Sequence, residues 1–167
     1  MPLLLSFLHL CNMYLCCIFV KPKFKSVTMT NKVVITVEAT VNAPISKVWE
    51  CWTSPNHITK WCQASPDWHA PRAENDLREG GAFSTRMEAK DGSFGFDFGG
   101  VYSSVVVNEK IEYTIGDGRN VKILFDSTDT GVKITESFDA ESVNPVEMQQ
   151  AGWQAILNNF KSYSESV

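Results

Sequence analysis

The 167 residues are 44% hydrophobic and 20% charged, the profile of an ordinary globular protein with enough chain for one sizeable core. A formal net charge of -4 argues against a nucleic-acid binder, which needs a basic face. Five cysteines, odd in number and without CxxC or Cys/His spacing, point to neither a disulfide scaffold nor a zinc site.

The chain opens on an apolar run, MPLLLSFLHLCNMYLCCIFV, followed directly by KPKFK. Read literally, the run is long enough to cross a bilayer with Lys21, Lys23 and Lys25 on the cytoplasmic side. A cleaved signal peptide fits less well, because no basic n-region precedes the run and no A-x-A-like site follows it. Ser6, His9 and Asn12 interrupt the apolar character. Met29 stands immediately before the start of a complete domain pattern, so residues 1–28 are read as an artefactual or disordered leader and residues 29–167 as the domain. Membrane association is expected only if that leader is genuine. The expected location is the cytoplasm.

Residues 32–41 (KVVITVEATV) are rich in Val, Ile and Thr and read as a strand. Asn42-Ala43-Pro44 ends it. Ser46 is placed to cap a short helix, SKVWECWTS, with Val48, Trp49 and Trp52 supplying its bulk. Ser54-Pro55 breaks that helix, and PNHITKWC forms a second one carrying Ile58 and Trp61. Cys51 and Cys62 fall in these apolar contexts and read as reduced, buried thiols.

From Pro66 onward the pattern is all strand. Residues 67–77 contain Pro71 and read as an irregular edge strand. Glu79-Gly80-Gly81 is a turn. Residues 82–90 alternate Phe83, Thr85 and Met87 against Ser84, Arg86 and Glu88, and Asp91-Gly92 closes a hairpin. Phe94, Phe96 and Phe98 alternate in turn, Gly99-Gly100 allows a kink or bulge, and residues 101–107 continue the strand. Short strands follow at 111–115, 120–127 and 132–139, divided by the turns at Gly116-Asp117-Gly118 and Thr130-Gly131. The chain closes on VEMQQAGWQAILNNFKSY, an amphipathic helix begun by Pro145, with Trp153, Ile156, Leu157 and Phe160 as its apolar stripe. Ala151, Gly152 and Ala155 make a line of small residues beside that stripe. Gly152 inside a helix suggests a close approach or space left open. The order of β-α-α, about six antiparallel strands and a long helix belongs to the α+β class.

Several segments together carry a family likeness. They are Ala43-Pro44 with Val48-Trp49, then Thr53 and Pro55 leading to Trp61, then Asp76-Leu77-Arg78-Glu79-Gly80-Gly81. Gly100-Val101-Tyr102 leading to Ile111-Glu112-Tyr113, and Gly152-Trp153 with Leu157 and Phe160, complete the set. Over residues 33–163 the chain resembles the activator-of-heat-shock-protein-90-ATPase-like family of the START-like, helix-grip superfamily. The resemblance implies a curved six- to seven-stranded antiparallel sheet around the long C-terminal helix, with two short helices after the first strand. It also implies a hydrophobic cavity between sheet and helix, which in the superfamily often holds an apolar small molecule. The co-chaperones of this family stimulate a chaperone ATPase in the stress response through an additional docking domain, for which the short leader leaves no place. Ligand binding is therefore the first expectation and contact with a heat-shock chaperone the second.

The residues themselves show no catalytic motif. His57 and His69 have no Ser or Cys partner at a recognisable spacing, and no Gly-rich loop precedes a helix to cradle phosphate. No cofactor or metal is expected. One polar residue stands out. In VKITESFD, alternation places Val132, Ile134 and Phe138 on one face, and Glu136 falls on that apolar face. A buried carboxylate must be paired, hydrogen-bonded or neutralised. Glu136 reads either as a cavity anchor or general base, or as a residue turned outward by a bulge or paired with an Arg. Arg86 and Asp97 fall on the outer face. The expected lining is Trp61, Phe83, Met87, Phe96, Phe98, Tyr102 and Phe125 with Met148, Gly152 and Ala155 from the last helix. Glu136 or Tyr102 would orient the ligand. A cyclase-like enzyme using Glu136 for proton transfer is a further alternative.

Overall fold

The computed structural model describes residues 32–167; the readings of residues 1–28 lie outside the described residues. The chain forms β1 (Val34–Val41), α1 (Ile45–Thr53), α2 (Pro55–Trp61), β2 (Trp68–Asn75) and β3 (Ala82–Ala89). It continues through β4 (Gly95–Val106), β5 (Lys110–Ile115), β6 (Asn120–Thr128) and β7 (Gly131–Asp139) to α3 (Val146–Ser166). All strands join one seven-stranded sheet of order β1-β7-β6-β5-β4-β3-β2, antiparallel throughout. The sheet curves around α3, giving the helix-grip arrangement expected from the element order. Strands β2 to β7 form a meander of hairpins. The chain must therefore pass from one sheet edge to the other between β1 and β2, and α1 and α2 make that passage.

Local chemistry explains most of these boundaries. Helix α1 starts at Pro44, not at a Ser46 cap: the Pro44 carbonyl accepts from the Lys47 and Val48 amides at 3.0 and 3.1 Å. Pro44 fixes the extended conformation an N-cap needs, which leaves Ser46 inside the first turn with no capping bond. Pro55 opens α2 at its first turn, where its missing N–H costs nothing. Strand β2 lies at the sheet edge, and its register with β3 shifts between His69 and Arg72, around Pro71. Asp91-Gly92 closes the β3–β4 hairpin with Gly92 at φ 74°.

Strand β4 differs from the expected kink at Gly99-Gly100. It runs without a register break through both glycines, and the shift against β5 falls between Tyr102 and Ser104. The glycines answer a different need. A Cβ on Gly99 would stand 2.7 Å from the Phe83 carbonyl oxygen, and one on Gly100 would collide with that of Thr114.

The core sits between the inner face of the sheet and the helices. Val41, Val48, Ile134 and Phe160 have no exposed surface, and the Trp49 and Phe125 rings meet edge-on at 5.3 Å. Helix α3 is tied to the free edge of β1 by polar side chains. Gln154 donates to the Glu38 carbonyl at 3.0 Å and accepts from its amide at 3.3 Å, while Gln150 donates to Thr36 and Lys161 to Thr40. These bonds occupy backbone groups that an open edge strand would offer to another chain. Among the described residues no helix is long and apolar enough to cross a membrane.

Candidate functional site

Beneath α3, on the side away from β1, the sheet and helices leave a cavity of about 310 Å³. Trp61 from α2, Phe83 and Met87 from β3, and Phe96, Phe98 and Tyr102 from β4 line it. Glu136 from β7 completes the group of expected residues that the fold brings together there. Four others stand elsewhere. Phe125 is buried against Trp49 and Trp52, deeper in the packed core. Met148 is 62% exposed, and Gly152 and Ala155 lie outside the lining. A side chain built at Gly152 would meet open space. The small-residue line of α3 therefore flanks the cavity without forming its roof. The roof is Trp153, Ile156 and Leu157, the bulky stripe itself, with Trp153 stacked on Phe138 at 3.9 Å.

Further lining comes from residues whose sequence signal was present but ambiguous. Tyr113 and Ile111 face inward by the alternation of β5, as Thr85 does by that of β3. Trp52 and Ile58 project from α1 and α2, and Cys62 follows α2. Arg119 reaches the cavity from the β5–β6 turn, a position that no periodicity reveals. Its guanidinium is held by the Asp117 carboxylate at 2.8 Å and by the Asp139 carbonyl at 3.4 Å.

The polar groups of this apolar chamber fall into two sets. Tyr102 is committed: its hydroxyl donates to Asn75 Oδ1 at 2.8 Å, and Asn75 Nδ2 donates to the Thr53 carbonyl at 2.6 Å. That chain ties the sheet to the end of α1 and leaves Tyr102 a poor candidate for orienting a ligand. Glu136 is uncommitted. Strand β7 pairs without a bulge on both sides, so Glu136 stays on the inner face between Val37 of β1 and Ile123 of β6. It is 6% exposed and has no hydrogen-bond or ion-pair partner among the described residues. Neither an outward turn nor an Arg pair is found.

Burial alone pushes the Glu136 carboxyl up to about 8, because hydrocarbon neighbours cannot solvate its charge. Tyr113 is 7% exposed and its hydroxyl is likewise unpartnered; burial first, then the nearby Glu136 charge, hold it well above the ordinary phenol value. The Cys62 thiol, 3.8 Å from the Met87 sulfur, is pushed up to about 12 by burial and then by Glu136. It remains a thiol and not a nucleophile. At neutral pH the inner pole of the cavity thus carries uncharged groups with hydrogens to donate.

The remaining candidates lie outside. Arg86 pairs with Glu88 at 2.7 Å and Asp97 at 3.5 Å on the outer face, and neither His57 nor His69 lines the cavity. Among the described residues no cluster of His, Cys, Asp or Glu is arranged to hold a metal ion. A second depression of about 470 Å³ beside the β4–β5 turn is more open, with exposed Glu109, Asp126 and Ser127 in its wall. It lacks the enclosure and the apolar walls that small-molecule sites have.

Comparison with known proteins adds the following. The family described as Activator of Hsp90 ATPase homolog 1-like protein matches residues 42–165. The solution structure of an AHSA1-like protein from Aeromonas hydrophila is 42% identical at a TM-score of 0.77, covering 80% of this chain and 93% of that one. A solution structure from Cytophaga hutchinsonii is 64% identical at a TM-score of 0.70, covering 81% of this chain and 92% of the other. A crystal structure from Chromobacterium violaceum, 23% identical at a TM-score of 0.73, covers 81% and 99% and shares the fold. No curated protein matches the chain.

Proposed function

The chain belongs to the Activator of Hsp90 ATPase homolog 1-like family, and we propose that this member binds an apolar or aromatic small molecule in the chamber beneath α3. The observation that carries the reading is Glu136: a carboxyl buried on an apolar face, facing a cavity, with no partner in the protein. Such a group destabilises the fold unless something meets it there. The surroundings fit. A space of about 310 Å³ lies at the small end of ligand pockets, and its walls are aromatic with a few polar groups at one end. The reading is of a binding protein and not an enzyme. Among the described residues Glu136 has no hydrogen-bonded nucleophile or acid–base partner of the kind a catalytic pair needs.

Native mass spectrometry of the full chain, purified without denaturation, tests this. A small molecule that co-purifies and leaves on unfolding is the expected result. An apo mass, together with no saturable change in tryptophan fluorescence when aromatic probes are added, would remove the carrier reading; Trp52, Trp61 and Trp153 all line the cavity and would report any occupant. A saturable effect of such an apo protein on a heat-shock chaperone's ATPase rate would place the function on protein contact instead.

A further inference from the structure

Resting on that reading, we infer that the ligand presents an acceptor oxygen, a carbonyl on an aromatic or apolar body, to the Glu136 carboxyl and the Tyr113 hydroxyl acting as a pair. Register and the shared cavity place the two groups on one inner face. Glu136 stands opposite Ile123 on β6, and Ile123 stands opposite Ile111 on β5. Tyr113 is two residues along from Ile111, so it and Glu136 share the inner face on a diagonal across β6. Both are more than nine-tenths buried, both border the same cavity, and the Glu136 charge is among the influences on the Tyr113 hydroxyl. Neither has a partner among the described residues.

Two unpartnered donors at one pole of an apolar chamber call for an acceptor. An apolar site can keep a carboxylic acid neutral so that it donates a hydrogen bond, and a carbonyl oxygen with two lone pairs accepts from both groups at once. The other titratable groups of the lining do not compete for this role. Val37 and Ile123 flank Glu136 on the neighbouring strands, and Trp153, Ile156 and Leu157 face the cavity from α3. Cys62 bears a thiol, a weak donor, and Tyr102 is bonded to Asn75. Arg119 is the cation of the lining, and its presence disfavours an ammonium ligand that would otherwise suit a carboxylate among aromatic rings.

Three probes with one body separate the possibilities: naphthyl methyl ketone, isopropylnaphthalene and naphthylethylamine, titrated into the full chain by fluorescence and calorimetry. The ketone is expected to bind about tenfold more tightly than the hydrocarbon, the effect of one to two hydrogen bonds. Its affinity falls as pH rises through about 8, where Glu136 loses its proton, while that of the hydrocarbon stays level. Glu136→Leu abolishes the ketone's advantage and keeps hydrocarbon binding. Tyr113→Phe reduces the advantage severalfold, and it serves alone with the pH profile if the first variant does not fold. Tightest binding of the amine, strengthening through the same pH range, would overturn the inference by making Glu136 an anionic partner. Equal binding of ketone and hydrocarbon would also overturn it and leave the carrier reading standing. No binding of any probe removes both.

Discussion

The two halves of the chamber share one sheet and one helix, yet one half is filled and the other hollow. On the β1 side Val41, Val48, Ile134 and Phe160 are wholly buried, and Trp49 packs edge-on to Phe125 at 5.3 Å. On the β3–β4 side Phe83, Phe98 and Trp153 remain partly open around the cavity. Apolar content does not distinguish them, since both are built from aromatic and branched residues. The difference is where α3 is fastened. Its glutamines and Lys161 bind backbone groups of β1, while Asn159 and Tyr163 bond to the Gln63 carbonyl and the His57 ring at and beyond α2, and no such bond reaches β3 or β4 among the described residues.

Point substitutions sharpen this contrast. Phe160→Ala in the filled half is expected to cost about 3–5 kcal/mol, the range for deleting an enclosed aromatic ring. Phe98→Ala in the hollow half should cost roughly 1–2 kcal/mol, because the ring already borders open space and loses fewer contacts. Urea unfolding of both variants measures the pair. Equal losses would mean that the hollow is an ordinary core and that the two halves do not differ in kind.

The next effect depends on pH. In the folded protein Glu136 holds its proton up to about 8, against a usual value of 4.5, so its folded pKa is raised. The folded state binds more protons than the unfolded one between these values, and stability falls with rising pH there. The contribution is fully present below 4.5, is lost progressively up to about 8 and is level beyond, a total on the order of a few kcal/mol. Glu136→Gln removes this slope. Relative to the parent, the variant's stability should rise across that window and hold its full gain above it, as unfolding at a series of pH values will show. Parallel profiles would mean that Glu136 is ionised in the folded protein, and the hollow half would then lack its neutral donor.

Much of this architecture was legible because strand alternation is unforgiving. With no bulge in β7, a period of two leaves Glu136 only the inner face, and the same rule on β5 points Tyr113 inward beside Ile111. The helix was harder. Met148 stands five residues before Trp153, about 140° round a helix, so a residue of suitable chemistry faces solvent while the stripe faces the cavity. Gly152 and Ala155 misled in a related way: small residues suggested the roof of a hollow, yet both lie outside the lining and a side chain at Gly152 would meet open space. Arg119 was invisible, since nothing local says that a turn residue will fold back over the sheet. Ser46 has the chemistry of a cap, but Pro44 had already fixed the geometry.

The smallest expected effect tests the fastening directly. Gln150 and Gln154 are four residues apart on α3, a rise of about 6 Å. Thr36 and Glu38 are two residues apart on β1, a rise of about 6.5 Å. Helix and strand therefore keep step, and the Gln154 amide, donating to the Glu38 carbonyl and accepting from its amide, pairs with the edge as another strand would. Gln154→Ala removes both bonds at a partly exposed position, for a loss of about 0.5–1 kcal/mol. The informative readout is hydrogen exchange. The Glu38 amide should lose protection while the β1 amides that pair with β7 keep theirs, and α3, freed at its middle, should admit the ketone probe with altered affinity. Unchanged exchange at Glu38 would show that the apolar stripe alone positions α3. The hollow would then arise from side-chain shape and not from the way the helix is tied down.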